Sequence, residues 1–323
     1  MLRNTRAGAA RLLFAAACAG AASAVFAQNF PAGKQIEMTV MFGAGSAADV
    51  TARTLAEGMS KELAAPVVAV NRPGSGGAAG YKHVAQQRPD GYSIIWNSNS
   101  ISTNYHAGIL PFDFHAFDPV ARAAIEIPVL AVRADAPWHT LKELLDHARA
   151  NPGKVRVGNS GVGSHTHLAA SALFAAAEAD AIEVPFGQAQ AVVNLLAGRI
   201  DATVQLPAAV VAHVKGHDVR VLAVLGSRRA PVFPDVPTAE ELGHAVTLDM
   251  WRGVAAPKGT PRAVIARLED AVRRTVESSA FAAAGKAVGF TPAFLPSDKF
   301  GKLIASDDAR LGNVMAELGL RKR

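Results

Sequence analysis

From residue 36 onward, the apolar positions switch repeatedly between unbroken β-type runs and helical spacing. IEMTVMF (36–42) predicts a buried strand, GAGSAAD (43–49) a turn, and VTARTLAEGMSKEL (50–63) a helix with one apolar face. PVVAV (66–70) predicts the next strand, NRPGSGGAAGYKHVAQQ a turn into a helix, and PDGYSIIW a turn into a third strand. A loop-rich stretch holding LPFDFHAFDPV follows, then an apolar strand, IPVLAVRA (127–134), after which the alternation restarts. Its members are helix TLKELLDHARA, strand KVRVGNS, helix HTHLAASALFAAAE, strand IEVPF, helix AQAVVNLLAGR, and strands ATVQL and VRVLAVL. The proline-rich connector RRAPVFPDVPTAEELG leads to LDMWRGVAAPKGTP, and the remainder is helical by pattern. Alternating strands and helices predict an α/β protein with mostly parallel sheets flanked by helices. At 323 residues, with the alternation starting twice, two lobes are expected.

The amino terminus changes the picture of where the chain works. Residues 1–27 carry Arg3, Arg6 and Arg11, an apolar run from Leu12 to about Ala22, and a small-residue end, the anatomy of a secretory signal peptide. The run is shorter than the roughly 20 apolar residues of a membrane span. Cleavage after Ala27 leaves 30 basic against 27 acidic residues, so a formal +6 becomes +3. No basic run with interleaved aromatics is present, which argues against a nucleic-acid partner. Cys18, the only cysteine, lies in the leader, with Ala15 where a lipidation signal usually has a large aliphatic residue. The mature chain therefore has no thiol for disulfides, nucleophiles or metal sites.

VMFGAGSAADVTARTL and VGNSGVGSHTHLAASAL, one per half, share a plan of strand, glycine-serine turn and helix. In open α/β sheets ligands sit beyond the carboxyl ends of the strands, where helix amino termini present free NH groups. Two such ends facing each other make a clamp for an anion. Sharper motifs fit less well. A serine elbow needs glycines two residues to either side, and Ser160 has Gly158 before it but Val162 after it. His165 and His167 form an HxH pair without a nearby carboxylate, so the plain expectation is a cleft-lining or capping His167 and a solvated His165. Gly74, Gly76 and Ala79 outline a dinucleotide fingerprint, but Asn71, Arg72 and Pro73 separate them from the strand and no acid follows about 20 residues on. Serine capping of both helices is the structural alternative to the clamp.

These residues, in order over nearly the whole mature chain, carry a family resemblance. MFGAGSAADVTAR, PVVAVNRPGSGGAAGYKHVAQQRPDGYSI, ANPGKVRVGNSGVGSHTHLAAS, LLAGRIDA, VLAVLGSRRAPVFPDVPTAEELG and WRGVAAPKGTP resemble the Bug family, periplasmic receptors of tripartite tricarboxylate transporters. The resemblance implies a type II periplasmic-binding-protein fold, with residues 28–129 and 248–323 in one lobe, 130–247 in the other, and a cleft between. It further implies a monomer in the periplasm that binds a small carboxylate without cofactor, metal or catalytic group and hands it to integral-membrane transporter subunits. An exported hydrolase or metal-dependent enzyme using the same cleft is the alternative of another class; a binding protein used only for sensing is a third.

Carried over by position, the resemblance implies three groups of ligand-binding residues. The first cradle is Phe42, Gly43, Ala44, Gly45, Ser46, Ala47 and Asp49; the second is Asn159, Ser160, Gly161, Gly163, Ser164 and His167; Ser98, Asn99 and Ser100 form a further rim. Phe186, Gly187 and Gln188 follow EVP without the usual lysine, and Gln205 replaces a common aspartate. Ser46 or Ala47 stands where a second glycine is usual. Loss of the aspartate points to a ligand without an amine and loss of the lysine removes a cation that could favour a second acidic group, while the retained Asp49 leaves pairing with an ammonium group open.

Overall fold

A computed structural model of the chain describes residues 30–186 and 190–323. The expected leader, Gly187 and Gln188 lie outside the described residues.

The first βα unit forms as its pattern requires. β1 (Ile36–Val40) buries Ile36, Met38 and Val40 completely. α1 (Ala47–Leu63) starts at Ser46, whose extended backbone lets Oγ accept the Asp49 NH at 3.2 Å. Its buried Ala52, Leu55, Ala56, Met59 and Leu63 recur at helical spacing and face the sheet. The same lobe continues through β2 (Val67–Asn71), α2 (Ala78–Ala85), β3 (Ser93–Ser98), α3 (Ser100–His106) and β4 (Phe117–Glu126).

The chain crosses at Ile127 and Pro128 into a second unit. This contains β5 (Val129–Arg133), α4 (Leu141–Ala150), β6 (Val155–Asn159), α5 (His165–Ala176), β7 (Ala181–Pro185), α6 (Gln190–Leu196), β8 (Ala202–Gln205), α7 (Pro207–Lys215) and β9 (Val219–Val224). After a long connector it returns with β10 (Met250–Pro257), α8 (Arg262–Glu277), α9 (Ser279–Val288), β11 (Thr291–Pro296) and α10 (Ser297–Glu317).

Two sheets result, in the orders β11-β4-β10-β3-β1-β2 and β7-β6-β8-β5-β9. The two-lobed α/β architecture is the expected one, but the expectation of mostly parallel sheets is corrected: both are mixed, with four parallel and five antiparallel strand pairings. β1 pairs in parallel with β2 and β3, and β6 with β7 and β8, as βα units require. The strand that enters each lobe after a crossing, β5 or β10, runs antiparallel to both of its neighbours.

Four elements differ from the sequence expectation. α3 and β4 lie in the stretch read as loop; β11 interrupts the expected helical tail; α7 fills the gap between two expected strands. Each lobe has its own apolar core on both faces of its sheet. Leu311 and Met315 of α10 pack into the second lobe's core, so this helix straddles the two.

Candidate functional site

The carboxyl ends of β1 and β6 face a cavity of about 310 Å³ between the lobes. The first lobe supplies Phe42, Ala44, Gly45 and Ser46, with Pro73 to Gly77; the second supplies Ser160, Phe186, Gln190 to Val193, Gln205, Ala209 and His213. A recess of about 20 Å³ shares Phe42, Ser46, Ser160 and Gln205 with this cavity and is completed by Ala47, Ala48, Ser100, Ser164, His165, Thr166, Leu206, Met250 and Arg252.

The first turn is braced from behind by an acid. Asp49 accepts the Gly45 NH at 3.0 Å and the Asn71 Nδ2 at 2.8 Å, and pairs with Arg53 at 2.8 Å. Burial pushes its carboxyl up, but the hydrogen bonds from Arg53, Gly45 and Asn71 outweigh it and hold the group below the usual carboxylate range. The carboxylate is thus engaged within its own lobe, and neither Asp49 nor Gly43 lines the cavity. Gly45 takes φ +78°, which lets the turn present Ser46, Ala47 and Ala48 at the start of α1. The first NH groups of a helix have no intrahelical partner and carry partial positive charge.

The second turn is built in the same way. Ser164 caps α5, its Oγ accepting the His167 NH at 3.2 Å, while Asn159 Oδ1 accepts the Gly161 NH at 3.0 Å. Ser160 donates its hydroxyl to Gln205 Oε1 at 3.2 Å, which leaves Gln205 Nε2 buried without a partner. Of this cradle, Ser160 and Ser164 border the cavity or recess; Asn159, Gly161, Gly163 and His167 do not, and Gly161 and Gly163 instead meet the first lobe at the rim.

Both histidines depart from expectation. His165, read as solvated, is buried at the wall of the recess, where Nε2 donates to the Leu248 carbonyl at 2.8 Å and Nδ1 is unpartnered. Burial pushes its pKa below the ordinary 6.5, so it is held neutral. His167 points away from the cleft to Glu183 at 3.0 Å. Glu183 also accepts from Ser171, so Ser171 and His167 share one acid, and among the described residues no serine hydroxyl is hydrogen-bonded to a histidine ring.

Of the third rim, Ser100 alone reaches the recess, with its hydroxyl unpartnered. Ser98 is buried, and Asn99 ties β3 to β10 by accepting the Trp251 NH at 2.8 Å and donating to Asp307 of α10.

Several wall residues escaped the sequence reading. The Pro73 to Gly77 turn was legible as a turn, but not as a wall of the cleft. Ala209 and His213 come from the unexpected α7. Arg252 is the deepest omission: it is 1% exposed and its Nε donates to Glu126 Oε2 at 2.6 Å. A lone arginine in the apolar run MWRGVAAP was the available signal. Among the described residues no Asp, Glu or Lys lines either space, no cluster of His, Cys, Asp and Glu could hold a metal, and no helix is long and apolar enough to cross a membrane.

Two α/β lobes joined by crossing strands, with capped helix ends opposed across a cleft, define a solute-binding protein of the periplasmic-binding-protein fold. Residues 51–320 match the family described as "Tripartite tricarboxylate transporter family receptor", and the chain belongs to that family, as its resemblance to the Bug proteins anticipated. Protein BugT of Bordetella pertussis is 33% identical over 312 residues, covering 94% of this chain and 95% of BugT. MatC from Rhodopseudomonas palustris, solved with bound malate, superposes with a TM-score of 0.82 at 27% identity, covering 88% of this chain and 99% of MatC. R. palustris Rpa4515, solved with adipate, gives 0.85 at 25% identity, covering 90% of this chain and 98% of its own.

Proposed function

We propose that the protein is a periplasmic receptor that closes its two lobes on one small organic acid and delivers it unchanged to the integral-membrane subunits of a tripartite tricarboxylate transporter. One observation carries the reading of the ligand: the cleft floor offers helix-end NH groups and buried, unpartnered donors, while Asp, Glu and Lys are missing from its described walls. Such a surface suits a group that only accepts hydrogen bonds, and a carboxylate is one. Malate and adipate, held by the two similar proteins, are acids of this kind without an amine. The upper cavity, between Phe42 and Phe186 and floored by Ala191, Val192 and Ala209, accommodates an uncharged aliphatic or aromatic body.

The ligand-binding groups in this reading are Phe42, Ala44, Gly45, Ser46 and Ala47 at the turn into α1, Ser160 and Ser164 of the second turn, Ser100, Phe186 and Gln205. Asp49, Asn159 and Asn99 hold these in place. No cofactor is required, and a monomer suffices, because both walls come from one chain.

Isothermal calorimetry with malate, adipate, hexanoate and benzoate tests the reading. One-to-one binding of at least one acid with no change in its chemical identity is expected. Absence of binding across a broad acid panel by ligand-free protein, or turnover of a bound acid, contradicts it.

A further inference from the structure

Arg252 is the only lysine or arginine lining the cleft or its recess among the described residues. It lies in β10 at the point where the chain re-enters the first lobe, and Glu126 of β4 holds it from one side. One bond to one carboxylate leaves the guanidinium under-used, and Nη1 is buried with no partner. Buried cations are costly unless their donors are engaged. Two further donors border the same recess in the same condition: Gln205 Nε2 and the Ser100 hydroxyl, on side chains 7% and 0% exposed. The amino-terminal residues of α1 (17 residues) and α5 (12 residues) complete its wall. The recess, about 20 Å³, has room for roughly one oxygen-sized group.

We propose that Arg252 is the specificity-determining cation of the cleft. A carboxylate oxygen of the ligand enters the recess and accepts from Arg252 Nη1 and Gln205 Nε2, and Glu126 is the positioning residue that fixes the guanidinium. The proposal rests on the reading of the cleft as a receptor site for organic acids and adds to it the group that distinguishes an acid from its neutral isostere. Charge sets the sign of each substitution. With Glu126 ionised, its charge already offsets part of that on Arg252; without it, the ligand carboxylate becomes the only counter-charge within reach.

Two measurements test this. In the first, formate is titrated into the full mature chain while the arginine side-chain NH resonances are followed. The Arg252 signal is assigned by its loss in Arg252→Gln/Glu126→Gln, a double variant that leaves no orphaned buried charge. A saturable shift of that signal is expected.

In the second, calorimetry compares hexanoate with hexanamide and benzoate with benzamide. The double variant should weaken the acids at least tenfold and the amides less than threefold. Glu126→Gln alone should tighten the acids about threefold while lowering the melting temperature, whereas a purely structural Arg252 would weaken acid and amide alike in both variants. An unmoved Arg252 signal with formate, or equal losses for acid and amide, overturns the proposal and leaves the receptor reading standing. A formate shift with no binding of any acid supports Arg252 as an anion site and sinks the receptor reading.

Discussion

Gly76 of the first lobe abuts the Val162 carbonyl of the second so closely that a Cβ on Gly76 would lie 2.1 Å from that oxygen. The backbone of Gly76 also takes φ +62°, a conformation other residues adopt only with strain. Beside this contact, Asn104 and Thr103 of α3 donate their side chains to the Gly163 carbonyl, the former at 3.1 Å. The lobes therefore meet backbone to backbone along one rim of the cleft.

Gly76→Ala should hold the clamp open. The methyl group meets main chain that cannot swing aside, so relief requires the lobes to part by a hinge motion near the crossings. Small-angle scattering should give a larger radius for the variant than for the wild type in the presence of a saturating acid, and affinity should fall at least tenfold, about 1.4 kcal/mol. The left-handed strain itself is expected to cost on the order of 1 kcal/mol. Identical scattering profiles and affinities would show that this contact does not gate closure.

Much of this was legible before the structure. The β1 and β6 turns were readable because glycine, serine and a following helical period occur together, and both end at the cleft. β4 was not, because Pro119, Arg122 and short alanines interrupt its apolar run, and its burial comes from pairing with β10 and β11. α7 was hidden since PAAVVAHVK is as apolar and β-branched as a strand. Arg252 was missed for a different reason: its meaning depends on Glu126, 126 residues earlier in the chain. The sequence puts Asp49 among the ligand-binding residues of the first cradle, whereas its partners engage the carboxylate in bracing the loop.

Asp49→Ala should therefore act on stability first. It removes the acceptor for the exposed Gly45 NH and for Asn71 Nδ2, which keeps the Phe42 carbonyl, so each lost hydrogen bond costs about 0.5–1.5 kcal/mol. Chemical denaturation should show a loss in this range with an unchanged denaturant slope. A variant as stable as the wild type would mean that the first turn does not depend on this brace.

His165 makes stability pH-dependent. Its folded pKa is depressed below 6.5 by burial, so the unfolded chain takes up the proton first as pH falls. Its contribution is fully present above pH 6.5, and is lost progressively as the pH drops from there towards the lower folded value. Denaturation at pH 7.5, 6.5 and 5.5 should show this decline in the wild type and a shallower one in His165→Gln. Parallel curves would place the titration elsewhere.

Gln205→Asp should change which ligand is preferred. The substitution puts a negative charge beside the recess, which repels a carboxylate there and attracts an ammonium group. Wild-type protein should bind succinate more tightly than aspartate by calorimetry, and the variant should shift the ratio at least tenfold towards aspartate. A wild-type preference for the amino acid, or an unshifted ratio, would contradict the reading of the cleft as built for acids without an amine.

The central claim, a receptor that holds a small acid in an interlobe cleft and releases it unaltered, is tested most directly by native mass spectrometry of protein exported and purified without refolding, before and after incubation with the acid panel. The account predicts a one-to-one complex with a small carboxylic acid, an acid of unchanged mass on release, and a stabilisation approaching about 2.7 kcal/mol when ligand is a hundredfold above its dissociation constant. Protein that stays free across the panel, or that releases a chemically altered molecule, would contradict it.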